Sequence, residues 1–164
     1  MLIPKAAEAI SKLNQLGLKT FILSNQSGVA RGYFTEETLS GIHDKMNKLL
    51  KNLNAKIDEI FYCPHHPDGI IPEYTKTCDC RKPQPGMLKI AEKKYNLNLS
   101  ECFIVGDMDR DIETGLRMNM RTILVLTGKG RTTRESLEKS GKNPEFIAEN
   151  LLDAAEYIKK ILTK

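Results

Sequence analysis

Cys63-Pro-His65 and Cys78-Asp-Cys80 set thiol and imidazole side chains in two tight pairs joined by a short polar loop. A C-x-H pair followed by a C-x-C pair has the spacing of a tetrahedral Zn²⁺ site closed by four protein ligands, and so structural rather than catalytic. Such a clamp obliges the chain to turn back on itself, and every other element must accommodate it. Arg81-Lys82-Pro83 follows at once, so the clamped loop delivers two adjacent cations to a fixed place, as phosphate recognition requires. Two alternatives stay open. His66 competes with His65 as the fourth ligand. The four cysteines could instead form two disulfides, although no secretory leader precedes them and Cys78 and Cys80 are too close to bridge comfortably. Cys102, in the apolar run Cys102-Phe-Ile-Val105, reads as a buried core thiol, and His43 as a helix-surface residue.

A chain of 164 residues suits one domain, 1–164, with a real core. No apolar stretch is long enough to span a membrane, and the start at Met1–Pro4 runs straight into a helical pattern. With cysteines of the reduced type, the expectation is a cytoplasmic protein without membrane contact. The net charge of +4 suits an anionic ligand. The basic residues are scattered along helices, however, and only 6% of the chain is aromatic, which argues against a nucleic-acid module.

Ala6, Ala9, Ile10, Leu13 and Leu16 recur at helical spacing, with Gly17 as a stop; Thr20 to Ser24 then reads as a buried strand. A long amphipathic pattern from Thr35 to about Leu53 precedes a strand at Ile57–Tyr62. A helix from Pro85-Gly86 to about Tyr95, a strand at Cys102–Gly106, a short helix at Asp111–Met118 and a strand at Thr122–Leu126 follow. Phe146-Ile-Ala is a weak fifth strand, and Leu151–Leu162 a closing helix. Strands alternating with helices in this way predict an α/β fold, a doubly wound parallel sheet with helices on both faces. Ligands then bind at the carboxyl ends of the strands. Those ends carry Ser24-Asn25, Cys63 and Gly106-Asp107.

Ser24-Asn-Gln-Ser27-Gly28 offers hydroxyls, amides and a permissive glycine after a strand, the makings of a neutral phosphate cradle or of an ordinary turn. Asp107 and Asp111 stand one helical turn apart after another strand, a hard-oxygen pair for Mg²⁺. The alternative is that Asp109 or Asp111 caps a helix, and Asp107 at the strand end has the better claim on a metal.

Taken together, Ser24-Asn25, the basic pair and Asp107 resemble motifs two, three and four of the haloacid-dehalogenase-like phosphatases. Ser24 to Phe34, Cys63-Pro-His-His-Pro67, Cys78 to Pro83, Pro85-Gly-Met87, Val105-Gly-Asp107 and Leu126 to Gly130 are similar to the branch containing the heptose bisphosphate and histidinol-phosphate phosphatases. The resemblance covers nearly the whole chain. It implies that Ser24 and Lys82 stabilise the transferring phosphoryl group, that Asn25, Gln26, Ser27, Arg81 and Met108 surround the substrate, and that Asp107 binds Mg²⁺, with Asp111 as a further candidate. Cys63, His65, Cys78 and Cys80 would hold zinc. The longer loop from His66 to Thr77 leans toward a sugar bisphosphate rather than histidinol phosphate.

The resemblance also marks a departure. The family opens on a strand ending Asp-x-Asp-Gly-Thr, whose first carboxylate is the nucleophile and whose second is the general acid/base; no such motif occurs in this chain. That strand lies mid-sheet, so the strands from Thr20 and from Cys102 would each lose a neighbour. Three expectations follow: a shortened copy of a working phosphatase, one part of an enzyme completed by a second chain or segment, or a non-catalytic zinc-bearing module that binds a phosphorylated ligand. The first is favoured, because every other motif is intact.

Overall fold

The computed structural model describes residues 2–163, so Met1, in the expected helical run-in, lies outside the described residues. The first pattern folds as α1 (Ala6–Gln15), followed by β1 (Phe21–Asn25) and a single-turn α2 (Ser27–Ala30). Helix α3 (Glu36–Lys51) opens on Thr35, whose hydroxyl accepts the Thr38 N–H at 3.1 Å, a side-chain N-cap that fixes where the amphipathic run begins. Then come β2 (Glu59–Cys63), α4 (Gly86–Tyr95), β3 (Phe103–Gly106), α5 (Asp109–Arg117) and β4 (Arg121–Val125). Helix α6 (Gly130–Ser140), β5 (Phe146–Ala148) and α7 (Leu151–Leu162) close the chain.

All strand pairs are parallel, as the βα alternation predicts, and β1 pairs in register with β2 from Phe21↔Glu59 to Asn25↔Cys63. Strand β4 lies between β3 and β5. Ile123 and Leu124, neighbours on β4 that face opposite sides, are both fully buried, so this strand is covered on two faces. Ile123 and Val125 pack with Ala9 and Leu13 of α1 and Ala154, Ala155 and Ile158 of α7. Leu124 packs on the other face with Ile112 of α5 and Leu137 of α6. The layers are therefore those of a doubly wound fold.

The sheet is in two pieces. Among the described residues, β1 pairs only with β2 and β3 only with β4. Between their facing edges lies a cavity of about 490 Å³, lined by Phe21 to Leu23 on one side and Phe103 to Val105 on the other. The two edge strands have not closed on one another, so both keep a row of backbone donors and acceptors directed into that slot.

Two helices fall outside the sequence reading. Helix α2 is one turn long, too short for periodicity to register. Helix α6 buries one large apolar side chain, Leu137, with Gly130 and Thr133 as its other buried positions, so it shows no apolar stripe. Ile123→Ala is expected to cost about 2–5 kcal/mol in chemical denaturation, whereas Ile90→Ala, at a residue 54% exposed, should stay within about 0.5 kcal/mol.

Candidate phosphate and metal site

The polar side chains at the end of β1 hold the neighbouring loop. Asn25 Nδ2 donates to the Lys82 carbonyl at 3.0 Å, and the Lys82 N–H donates to Asn25 Oδ1 at 2.9 Å. One carboxamide thereby copies a backbone pair and pins Lys82 beside the strand end. The Gln26 N–H donates to the Cys63 carbonyl at 2.7 Å, and Gln26 Nε2 to Ser24 Oγ at 2.8 Å. Ser27 opens α2.

Lys82 spans the slot. Its ammonium donates to the Leu23 carbonyl on the edge of β1 and lies 2.7 Å from Asp111 Oδ1 across the gap. Both side chains are nearly buried, at 12% and 9% exposure, so each charge depends on the other for its compensation. Asp111 Oδ2 accepts the Met108 N–H at 3.1 Å, an N-terminal contact that orients α5. Asp111 Oδ2 therefore serves as the helix cap, while Oδ1, buried and without a hydrogen bond, has the Lys82 ammonium beside it as an ion-pair partner. Asp107 Oδ2 accepts the Lys129 N–H at 2.9 Å. Gly128, at φ +59°, makes that approach possible, because a Cβ there would sit 2.2 Å from the same oxygen. Met108 precedes α5, with its sulfur 2.7 Å from Arg110 Nη2.

The four soft ligands converge. Cys63 Sγ lies 3.4 Å from Cys78 Sγ and 3.8 Å from His65 Nδ1; Cys80 Sγ lies 3.2 Å from Cys78 Sγ and 3.4 Å from His65 Nδ1. All four atoms fit within 4.8 Å of one another. Ligands at Zn–S and Zn–N bond lengths would be separated by about 3.4–3.8 Å along the edges of a tetrahedron. A disulfide needs about 2.05 Å, and the four cysteines are free. His66 is not in the cluster: its Nδ1 instead accepts the Asp68 N–H at 3.1 Å. Burial pushes the Cys63 thiol well above its ordinary range, with the Cys80 and Cys78 sulfurs adding to the shift. The donor set and its geometry fit zinc, which would deprotonate these thiols.

Two side readings are adjusted. Cys102 is half-buried rather than buried, its thiol donating to the Asn98 carbonyl at 3.2 Å. His43 is half-buried too, with its ring 5.8 Å from that of Tyr62. Sequence reasoning missed Arg31, which ends α2 with Nη2 3.3 Å from His66 Nε2; it lies in no metal or strand-end pattern that would single it out.

Elemental analysis should find about one zinc per chain, and Cys78→Ser should abolish it. Chelation should lower the melting temperature, because zinc bound only by the folded chain is folding free energy. Asn25→Ala should cost about 1–3 kcal/mol by stranding the Lys82 backbone groups.

The HAD-hydrolase-like family model matches residues 79–154. The chain is 42% identical over 125 residues to a D-glycero-alpha-D-manno-heptose-1,7-bisphosphate 7-phosphatase of Photorhabdus laumondii, covering 76% of this chain and 68% of that protein. It is 38% identical over 149 residues to a D-glycero-beta-D-manno-heptose-1,7-bisphosphate 7-phosphatase of Pseudomonas putida, covering 91% of this chain and 79% of that one. The D,D-heptose 1,7-bisphosphate phosphatase of B. bronchiseptica, solved with magnesium and phosphate, superposes with a TM-score of 0.86 at 36% identity, over 98% of this chain and 85% of that chain. The chain thus spans about two thirds to four fifths of the length of these curated relatives. The cysteine and histidine cluster, the strand-end polar groups and these likenesses together place the chain in the haloacid-dehalogenase-like superfamily, in its heptose bisphosphate phosphatase branch.

Proposed function

We propose that this chain forms the phosphate-binding and zinc-bearing part of a Mg²⁺-dependent phosphatase acting on a D-glycero-D-manno-heptose 1,7-bisphosphate. A carboxylate-bearing strand seated between β1 and β3 would complete it. The observation that carries this reading is Lys82, held by Asn25 at the carboxyl end of β1 and reaching Asp111 at the start of α5. Its ammonium stands where an incoming phosphoryl group meets the strand ends, with Ser24 beside it and Asp107 at the end of β3.

The chain's own groups divide the work. Lys82 neutralises phosphoryl oxygens, and the Ser24 hydroxyl and the strand-end backbone donors orient them. Arg81, Asn25, Gln26, Ser27 and Met108 would surround the substrate, as the resemblance to the family implies. Asp107 keeps one oxygen clear of Lys129 and would hold the magnesium ion, which when bound neutralises charge on the phosphate. Asp111, paired with Lys82, positions that lysine and is the lesser candidate for the ion. Cys63, His65, Cys78 and Cys80 would hold zinc as a brace for the loop that presents Arg81 and Lys82.

Among the described residues, beyond Asp107 and Asp111, no strand end here carries the paired carboxylates that the family uses to attack phosphorus and to protonate the leaving oxygen. Groups that act as a unit in this way typically supply on the order of 10⁴–10⁶ in turnover. The slot of about 490 Å³ between β1 and β3 is where such groups would enter, because a strand there would meet unpaired edges on both sides and end beside Lys82. The completing strand could be part of a longer chain or of a separate segment.

The test is phosphate release from the heptose 1,7-bisphosphate with Mg²⁺, comparing the chain alone with the chain carrying an added Asp-x-Asp-Gly-Thr strand. Release by the completed protein should exceed that of the chain alone by at least about 10⁴-fold, and Lys82→Ala or Asp107→Asn should abolish the gain. No Mg²⁺-dependent release by the completed protein would overturn the proposal. Release by the chain alone that Asp107→Asn abolishes would overturn the requirement for the strand.

A further inference from the structure

The Glu36 carboxylate is engaged in a way that its place in the sequence does not explain. Thr35 caps α3 with its hydroxyl on the Thr38 N–H, so Glu36 is the first helical residue, where the helix dipole favours a negative charge. A carboxylate so placed is ordinarily left to solvent. Here one oxygen accepts from the Tyr62 hydroxyl at 2.9 Å and the other from the Tyr74 hydroxyl at 2.7 Å. No lysine or arginine pairs with it among the described residues. Both oxygens are spent on neutral donors from two other segments, and hydrogen bonds to an ionised acceptor are the stronger kind. The hydrogen bond to Glu36 pushes the Tyr74 hydroxyl up to about 12, so this donor keeps its proton at any ordinary pH.

The two tyrosines belong to different parts of the site. Tyr62 stands on β2 opposite Ser24 of β1, directly before Cys63. Tyr74 ends the helical turn Pro72–Tyr74, within the segment 66–77 that joins the two halves of the cysteine and histidine cluster. Its ring lies 6.3 Å from that of His65, and its carbonyl accepts the His66 N–H at 3.1 Å. The same segment is seated on α2, where the Ala30 carbonyl accepts the N–H groups of Ile70 and Ile71 at 2.8 and 3.0 Å. Gly69 is pressed in so closely that a Cβ there would lie 2.6 Å from Thr75 Oγ1 and 2.9 Å from the Ala30 carbonyl oxygen. Only the tip is open, with Ile70 73% exposed. The cluster thus holds the ends of the segment, α2 its middle, and Glu36 its returning limb. Held in this way, the segment rises from the carboxyl end of β2 as the wall of the strand-end site on that side.

We propose that Glu36 is a positioning residue for substrate recognition. Through Tyr74 it latches the 66–77 segment to β2 and α2, and the latched wall sets which sugar the site admits. Ser24 and Lys82 are held by separate contacts, through Gln26 and Asn25, so loss of the latch leaves the phosphoryl contacts in place. That the wall meets a sugar rests on the function proposed above, whereas the latch itself does not.

Two measurements test it. The first follows amide hydrogen exchange in the zinc-loaded chain. Glu36→Ala and Tyr74→Phe should each speed exchange at His66, Ile70 and Ile71 about tenfold or more, with Glu36→Gln intermediate. Zinc content and exchange in Phe103–Gly106 should stay those of the wild type. Gly69→Ala, which crowds the segment off α2, should speed the same three amides. The second uses the protein carrying the added strand, with the heptose 1,7-bisphosphate and a small aryl phosphate as substrates. Glu36→Ala should raise KM for the sugar about tenfold with kcat within about twofold, and leave the aryl phosphate unchanged. A merely structural loss would lower turnover of both substrates. Loop amides indifferent to Glu36 and Tyr74 would overturn the latch, and equal losses on the two substrates would overturn its role in recognition. If the loop amides respond while the completed protein hydrolyses no sugar phosphate, the latch stands and the proposed function fails.

Discussion

The site depends on one side-chain amide. Asn25 both donates to and accepts from the backbone of Lys82, so a residue at the end of β1 fixes a loop 57 positions further along the chain. The alternative for those backbone groups is solvation in a half-buried place, so losing the amide would strand them. The cysteine and histidine cluster braces the same loop from its other side, directly before Arg81. Between them these two restraints leave the Arg81-Lys82 pair little freedom. A long lysine side chain held this way is already ordered, which under the proposed function would make its phosphate contact effective.

The slot between β1 and β3 is the second constraint. Helices α1 and α7 cover one face of the β3–β4–β5 sheet, and α4 joins its hydrophobic contacts to both pieces, through Met87 and Ala91 toward Phe61 and through Leu88 toward Ile104. The halves are held at a distance by these helices and not by strand pairing. Lys82 occupies part of the opening with its ammonium on the Leu23 carbonyl. One cation satisfies one edge acceptor, and the other edge groups remain suited to a strand.

The alternation of strands and helices was legible because each long element had either a buried apolar run or an amphipathic face, as Thr20–Ser24 and Thr35–Leu53 did. The cysteine and histidine cluster was legible from spacing alone, since three thiols and an imidazole in two tight pairs have few other uses. The reading of His65 rather than its competitor His66 as the fourth member agrees with the structure, where His66 Nδ1 lies outside the cluster and accepts the Asp68 N–H. Helix α6 escaped because Leu137 alone gives it no stripe. Asp111 read as a metal candidate from its position one turn after Asp107 and, alternatively, as a helix cap; the Met108 N–H three residues back matches the cap, whereas its pairing with Lys82, on a separate loop, is one no local pattern registers. Arg31 carried no signal for the same reason: its partner lies 35 residues away on another loop.

The central claim is that β1 and β3 form the two walls of a single strand-accepting slot beside Lys82. Amide hydrogen exchange of the chain, with and without a synthetic peptide bearing an apolar strand that ends Asp-x-Asp-Gly-Thr, tests it most directly. Slowed exchange in Phe21–Asn25 and in Phe103–Gly106 together, at one peptide concentration, is the predicted result. Protection of only one of these strands, or of neither at saturating peptide, would contradict it.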